Sequence, residues 1–204
     1  MRRHPLAIIG LGKVGVACGK AIAATEDLAV AGIVRRSTSL AQPLPPPLQR
    51  SVQNSSLRHD LIASIHWGGN WGCEITAAER NFAHNFVDVG FDVIHGHSSH
   101  HPKAIEVYRD RLILYGCGDF LNDYEGISGY EEFRGELSLM YLPRLCATRR
   151  LIDLQLVPFR IARFRLHRAS IADTAWLQHR LDSVCRRFQV GLRTSPDGIL
   201  SVNW

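Results

Sequence analysis

Histidines supply the side chains in this sequence whose type and spacing point to chemistry. Five of the ten histidines fall in two short segments, one in the first and four in the second. An imidazole nitrogen is a common ligand of zinc, manganese and iron ions. We therefore predict that His66, His97 and His100 bind a divalent metal ion of this kind, with His66 and His97 also acting as catalytic residues. His95 and His101 are expected beside the site or facing solvent.

The elements that must position these histidines are two strands and the helix between them. Apolar residues 61–65 and 91–94 predict buried strands, which lead directly into the two histidine segments. Residues 76–89 predict an amphipathic helix, with Thr76 and Glu79 in a capping box at its start. Since the carboxyl ends of neighbouring strands in an α/β sheet meet at one edge, we expect the histidines to converge there.

The first part of the chain carries a second candidate site. Residues 6–9 and 28–34 predict strands, and a G-x-G-x-x-G turn directly follows the first of them, at the start of a predicted helix over residues 14–24. Such a turn lets the backbone approach a pyrophosphate at a helix N-terminus, and an arginine after the second strand suits a 2′-phosphate. The pattern predicts a partial Rossmann-like β-α-β unit that binds NADP through Gly10, Gly12, Gly15 and Arg35. The alternative that this segment binds no dinucleotide stays open.

A proline-rich segment separates this unit from the histidine segments. Four prolines between residues 43 and 47 exclude helix and favour an extended linker. We predict a partial Rossmann-like segment over residues 1–42, a linker over residues 43–56 and a metal-binding half-domain over residues 57–204. Residues 5–48 resemble the N-terminal part of diaminopimelate dehydrogenase-like oxidoreductases, which use NAD(P).

Beyond the histidine segments the predicted elements are mainly strands. The predicted elements are a hairpin over residues 105–108 and 112–115, strands over residues 137–141, 151–157 and 161–166, and a helix over residues 171–188. Tyr130 and Phe133 either wall a groove or belong to the core. Trp67 and Trp71 are expected to pack over the metal-binding loop.

Composition limits the classes of function. The chain is 46% hydrophobic and 21% charged, as expected of a soluble globular protein. Its net charge of +5 either suits a phosphorylated or polyanionic substrate or belongs to a solvated arginine-rich surface, whereas no aromatic-rich nucleic-acid signature accompanies the arginines. The apolar run at the start is too short for a signal peptide, and no run reaches the length of a membrane span, so we expect a cytoplasmic protein without a membrane span. The five widely spaced cysteines predict free thiols.

A combination of three motifs resembles the CapA family of capsule-synthesis proteins over residues 57–204. The motifs are His66-Trp67-Gly68, Gly96-His97-x-x-His100 and Gly116-Cys117-Gly118-Asp119-Phe120. The family is linked to poly-γ-glutamate and belongs to the calcineurin-like metallophosphoesterase superfamily. The resemblance implies a layered α/β fold with a dinuclear metal centre. It also implies that His66 matches the histidine of the family's His-Trp-Gly motif, and that His97 and His100 match its terminal histidine pair.

The sequence departs from the family pattern at the metal site. Asn70 stands where many members carry an acid, and none of the superfamily's Asp-x-His, bridging Asp or Asn-His ligands precedes His66. Asp119, Asp123 and Glu125 are either carboxylate substitutes or ordinary turn acids. Three histidines alone can hold one zinc ion with an open position. We therefore expect an incomplete site with weak mononuclear binding and low hydrolytic activity, unless a second copy of the chain (a homo-oligomer) or another protein supplies the missing ligands.

These observations predict an α/β protein with a layered metallophosphoesterase-like fold preceded by the Rossmann-like unit. The leading functional hypothesis is a CapA-family, metal-dependent phosphoesterase-like hydrolase associated with capsule or poly-γ-glutamate synthesis. A non-catalytic binding or scaffold protein of the same fold and an NADP-dependent oxidoreductase fragment are the alternatives.

Overall fold

A computed structural model describes residues 4–9, 28–34, 60–120 and 127–204 of the chain. Its strands, numbered in chain order, are β1 (His4–Ile9), β2 (Leu28–Val34), β3 (Ile62–His66), β4 (Val93–His97), β5 (Ile105–Tyr108), β6 (Arg111–Leu114), β7 (Leu137–Leu145), β8 (Leu151–Ala162), β9 (Arg165–Arg168), β10 (Gly191–Thr194) and β11 (Leu200–Asn203). The α-helices within these residues are α1 (Ala77–Asp88) and α2 (Ile171–Cys185), and short 3-10 helices span Glu131–Phe133 and Arg186–Phe188.

The first sheet positions the histidines. Its strand order is β2-β1-β3-β4-β6-β5, and every neighbouring pair is parallel except β5 with β6, which form a hairpin. Because α1 connects β3 to the parallel neighbour β4, the carboxyl ends of these two strands lie side by side. β3 is an inner strand, paired with β1 on one side and β4 on the other.

The second sheet is antiparallel and packs against the first through a shared core. Its strand order is β10-β11-β8-β7, with β9 also paired to β8. α2 contacts β5 of the first sheet and β8 and β10 of the second. Leu112 and Ile113 of β6, Leu154 and Leu156 of β8, and Leu181 of α2 are fully buried members of one hydrophobic cluster. Burial of each such side chain stabilises the fold by about 1.5–3 kcal/mol.

α1 forms where the sequence predicts it. Thr76 and Glu79 satisfy each other's backbone N–H groups in a capping box, which is worth about 1 kcal/mol. Phe82 and Phe86, four residues apart on one face, are buried with ring centroids 4.9 Å apart. The helix is therefore held both at its first turn and along its apolar stripe, and it fixes the connection between β3 and β4.

The described residues confirm the α/β class and the order of most predicted elements. Several boundaries were wrong; for example, β7 continues to Leu145, beyond the predicted end at residue 141. β4 continues to His97, so two predicted loop histidines lie within a strand. Residues 161–166 are not one strand, because Arg163 and Phe164 adopt left-handed backbone angles and turn the chain from β8 into β9. The final helix changes to a 3-10 turn after Cys185.

Parts of the predicted N-terminal organisation fall outside the described residues. The two strands of the predicted β-α-β unit exist as β1 and β2, and they pair in parallel. The predicted helix between them and the proline-rich linker over residues 43–56 are not described. The Rossmann-like assignment and the three domain boundaries therefore stay predictions.

Candidate metal centre

The centre of the site is a pair of histidines at the carboxyl edge of β3 and β4. The register of these strands sets His66 opposite His97 and Ser64 opposite His95. The Nδ1 atoms of His66 and His97 are 3.3 Å apart, and their ring centroids are 5.2 Å apart. These two side chains therefore lie together, as expected from two neighbouring parallel strands.

Gly96 makes room for that arrangement between the paired strands. A Cβ at this position would lie 2.6 Å from the carbonyl oxygen of Leu114 and 2.7 Å from that of Tyr115, and it would also meet the indole nitrogen of Trp67. The Trp67 indole N–H donates to the same Tyr115 carbonyl at 2.9 Å. Only hydrogen fits at residue 96, which explains why a glycine stands between His95 and His97.

The environment keeps the imidazoles of β4 neutral. Burial, with smaller contributions from His95 and His66, lowers the pKa of His97 to about 4. Burial also lowers the pKa of His95, whose Nδ1 lies 3.2 Å from the Ser64 hydroxyl. A neutral imidazole has a free lone pair on one nitrogen, which is the form that binds metal ions. Around neutral pH these two side chains are therefore in the state that a ligand requires.

His100 belongs to a second, polar arrangement. Its Nδ1 lies 2.9 Å from a carboxylate oxygen of Asp119, and its Nε2 lies 3.4 Å from the side-chain nitrogen of Asn70. A carboxylate that accepts the Nδ1–H leaves Nε2 as the acceptor nitrogen, which agrees with the Asn70 amide beside it. The backbone N–H of His100 also donates to the Asn70 carbonyl at 3.0 Å. Asn70 and Asp119 therefore fix the orientation of this ring from two sides.

Aromatic rings form one wall beside His100. Trp71 stacks on Tyr130 with centroids 4.3 Å apart and planes inclined by 4°. Its ring also lies 5.3 Å from His100 and 5.6 Å from Phe133. Tyr130 is 40% exposed. Tyr130 and Phe133 thus lie beside the site with Trp71, whereas Trp67 is a buried core residue whose indole N–H donates to the Tyr115 carbonyl.

Lys103 supports the loop that follows His66, and sequence reasoning missed it. This side chain is 4% exposed, and its ammonium donates to the Gly69 carbonyl at 3.2 Å. The loop is also held by Ser98, whose hydroxyl donates to the Gly68 carbonyl. Lys103 is the single charged residue between His95 and Ile105. An isolated lysine directly after the histidine segment was the available signal, since a charge that becomes buried normally has a specific partner.

The predicted site residues are brought together only in part. His66 meets His97, and His100 meets Asp119, but no group of three or more His, Cys, Asp or Glu side chains among residues 60–120 and 127–204 has a metal-binding arrangement. The metal site therefore stays a prediction. The predicted NADP residues, Gly10, Gly12, Gly15 and Arg35, and the carboxylate candidates Asp123 and Glu125 lie outside the described residues.

Comparison with known proteins identifies the family. Residues 23–124, half of the chain, match the family described as bacterial capsule synthesis protein PGA_cap. The chain belongs to the PGA_cap family. The match begins within the segment that we predicted to bind NADP, and the comparisons give that prediction no support.

Individual PGA_cap relatives agree with this assignment. The chain is 51% identical over 142 residues to a "probable polyglutamine synthesis accessory protein" of Mycobacterium tuberculosis, an alignment that covers 69% of this chain and 37% of the relative. It is 28% identical over 91 residues to the "PGA biosynthesis protein CapA" of Bacillus subtilis, covering 44% of this chain and 24% of that protein. A "capsule biosynthesis protein CapA" of Bacillus anthracis is 30% identical over 63 residues, covering 31% of this chain and 15% of the relative.

The chain thus aligns with little more than a third of its mycobacterial relative. Neither helix in the part of the chain that the structure describes is long and apolar enough to span a membrane.

Proposed function

We propose that this chain serves the synthesis of a capsular glutamate polymer, and that its His66–His97 pair binds a divalent transition metal ion in that role. Family membership and the names of the mycobacterial and Bacillus relatives support the part in polymer synthesis. The proposal for a metal rests on the chain's own side chains. It is the CapA-type, phosphoesterase-like function that the family resemblance implied.

The main support for the metal proposal is the distance between the Nδ1 atoms of His66 and His97. Two nitrogens that each lie about 2.0–2.1 Å from a tetrahedral zinc ion are about 3.3 Å from each other. The Nδ1 atoms of His66 and His97 have a separation of 3.3 Å. The lowered pKa of His97, about 4, keeps this ring neutral. The pair therefore fits two adjacent positions of such an ion without a change of rotamer, although one ring could also donate directly to the other at this distance.

The neighbouring residues have roles that do not depend on the identity of the ion. A bound ion supplies Lewis acidity and lowers the pKa of a coordinated water. Asp119 holds the Nδ1 atom of His100, so His100 Nε2 is the nitrogen that can accept or return a proton. Asn70 beside this nitrogen orients it. Trp71 and Tyr130 exclude water from one side of the site and offer a flat apolar surface to a substrate.

A non-catalytic binding role is the second candidate. It is favoured by the incomplete ligand set, because the described residues contain no cluster of three metal-binding side chains. Two histidine ligands leave an ion weakly held and unable to support turnover by itself. In this case the same edge of the sheet would bind the polymer or a partner protein without hydrolysing a bond.

Calorimetric titration of the metal-free protein with zinc and with manganese tests the proposal. The wild type is expected to bind one of the two ions, and both His66→Ala and His97→Ala are expected to weaken that binding at least tenfold. His179→Ala is the matched control, because His179 is an exposed histidine on α2, far along the chain from the site. Equal affinity in the wild type and the His97→Ala protein would rule out the pair as ligands.

Turnover separates the hydrolase from the binding protein. A chromogenic phosphodiester is incubated with the protein in the presence of the ion that binds. Hydrolysis that disappears in His100→Ala, at an unchanged metal content, supports catalysis with His100 as the proton carrier. Metal binding without any hydrolysis above the free ion supports the binding role.

A further inference from the structure

The hairpin formed by β8 and β9 carries a concentration of basic side chains. Its turn consists of Arg163 and Phe164, both with φ of 55°, which is the backbone geometry of a two-residue type I′ turn. Asn and Gly usually occupy such turns, so the two residues here present a guanidinium and an aromatic ring at a tip where smaller residues would suffice. Both side chains are exposed, Phe164 by 63%. Exposed Arg165 and Arg168 follow on β9.

The charges on the outer part of this hairpin are not neutralised by carboxylates. Among the described residues, Arg163 and Arg165 form no ion pair, and Arg168 donates only to the backbone carbonyl of Asp197. Closer to the core the situation is different, since Arg160 of β8 is paired with Asp173. The positive charge of the hairpin is therefore neutralised near the core, at Arg160. Its outer part carries three positive charges that are not paired with a carboxylate among the described residues.

A chain of contacts connects this surface with the histidine site. The Arg168 guanidinium lies 5.8 Å from the centroid of the Phe159 ring. Phe159 in turn makes an edge-to-face contact with Phe120, with centroids 5.8 Å apart. Phe120 directly follows Asp119, which holds His100. The contacts thus connect Arg168, through Phe159 and Phe120, with the residue next to Asp119.

We propose that the β8–β9 hairpin is a docking strip for an acidic peptide polymer, which it leads towards His100 and Asp119. The guanidinium groups of Arg163, Arg165 and Arg168 would each bind a carboxylate of successive repeats, in the bidentate geometry that arginine favours. A polymer with a carboxylate on every repeat engages several such groups at once, so weak individual contacts add up along the chain. This inference rests on the proposed role in glutamate-polymer synthesis, but it does not require a metal ion.

An anionic lipid surface is the other partner that basic residues attract. Stable contact with a membrane interface also needs a substantial apolar face. Near the hairpin the strongly exposed apolar side chains are Phe164 and Ile171, whereas three arginines without a carboxylate partner among the described residues lie within residues 163–168. A flexible linear polyanion can reach arginines on both faces of a hairpin, whereas a flat surface meets one face. The polymer is therefore the partner for which we argue.

Fluorescence anisotropy with labelled polyglutamate tests the docking strip, with neutral dextran as the comparison probe. The test variant combines Arg163→Gln, Arg165→Gln and Arg168→Gln. The control variant combines Arg144→Gln, Arg186→Gln and Arg193→Gln, which removes the same charge from exposed arginines on other elements. Thermal unfolding of all three proteins checks that each is folded.

The expected result is that wild type and control bind polyglutamate, that the hairpin variant binds about tenfold more weakly, and that added salt weakens the wild type more than the hairpin variant. Equal weakening in the two variants would overturn the proposal, because it would reduce the effect to net charge. Absence of polyglutamate binding by the folded wild type would also overturn it, as would binding to phosphatidylserine vesicles that the hairpin variant loses while its polymer affinity is unchanged.

The outcomes also separate this inference from the metal proposal. His97→Ala is expected to leave polyglutamate affinity unchanged, and the hairpin variant is expected to leave zinc or manganese affinity unchanged. If the protein binds the metal and the hairpin variant keeps its full polyglutamate affinity, the docking strip is ruled out while the proposed function still stands.

Discussion

His66 and His97 face each other across two parallel strands, with Nδ1 atoms 3.3 Å apart. Because both residues are the last of their strands, the main-chain hydrogen bonds of the sheet hold their Cα atoms in place. Rigid positioning of this kind is what a metal site needs, since ligands on strands are placed more accurately than ligands on loops. The following predictions test how the site and its surroundings depend on individual side chains.

Substitution of Gly96 by alanine is expected to destabilise the protein by about 1–3 kcal/mol, because the methyl group would overlap the carbonyl oxygens of Leu114 and Tyr115. Urea unfolding measures the change. Gly191→Ala is the control, since an added Cβ there would have only an ordinary contact, at 3.8 Å from Asp182. Similar losses for both variants would show that the tight space between β4 and β6 does not decide the result.

Replacing Asp119 with asparagine is expected to lower metal-dependent hydrolysis of a phosphodiester by about 10–100-fold while metal affinity stays unchanged, because the carboxylate that accepts the Nδ1–H of His100 keeps Nε2 as the proton acceptor. Hydrolysis rates and titration with zinc measure the two quantities. Asp197→Asn, at an exposed position, is the control. A large loss of hydrolysis in His100→Ala combined with no change in Asp119→Asn would contradict the orienting role.

The loss of unfolding free energy at low pH should depend in part on His101. Burial lowers the pKa of this side chain to about 4 in the folded protein, below about 6.5 in the unfolded chain. The unfolded chain then binds a proton more readily, so the contribution to stability is complete above pH 6.5 and is lost as the pH falls from about 6.5 to about 4. In His101→Phe the decrease in unfolding free energy over this range should be smaller by on the order of 2 kcal/mol.

Urea unfolding at several pH values provides the measurement, with His179→Phe as the control. His95 and His97 have lowered pKa values as well, so the His101→Phe protein should keep part of the pH dependence. Identical pH profiles for the wild type and the His101→Phe protein would contradict the prediction.

Glu106 is expected to stabilise the protein only in its ionised form. Burial alone raises the pKa of this carboxyl, but hydrogen bonds from Arg80, Tyr115 and His84 outweigh that effect, and its pKa is lower than usual. A carboxyl with a lowered pKa contributes its stability above the unfolded value, about 4.3, and the contribution is lost as the pH falls below that value.

The variant Glu106→Gln should therefore be about 1–3 kcal/mol less stable than the wild type at neutral pH. The difference should shrink in acid. Glu132→Gln, at an exposed position, is the control for loss of a charge. If the difference in unfolding free energy between the wild type and Glu106→Gln stays constant as the pH falls below about 4, the shape of the side chain and not its ionisation accounts for the effect.

Local signals predicted much of the fold. The capping box at Thr76 and the apolar spacing of Phe82 and Phe86 predicted α1 because both depend on residues three or four positions apart. The turn at Arg163 and Phe164 was missed, since neither residue favours left-handed backbone angles and tertiary pairing of β8 with β9 imposes them. β10 was missed as well, because it is a short strand with no alternating pattern.

The candidate site was also predictable in part from local sequence signals. Adjacency of His66 and His97 follows from parallel pairing of two strands joined by one helix, which the sequence indicated. The contact of His100 with Asp119 joins residues nineteen positions apart through a loop, and no periodic pattern predicts loop geometry. The role of Lys103 in supporting the loop after His66 follows only from its hydrogen bond to the Gly69 carbonyl, which the sequence did not predict.

The inner position of β3 has a consequence for any shortened form of this protein. β1 precedes the proline-rich segment in sequence but donates and accepts the main-chain hydrogen bonds along one whole side of β3. A protein that began at residue 57 would expose that side as an open edge of Leu61 to Ile65, a mostly apolar run without a charge. Unprotected edges of this kind recruit strands from other molecules, so such a truncation is expected to self-associate into aggregates and to lose the alignment of His66.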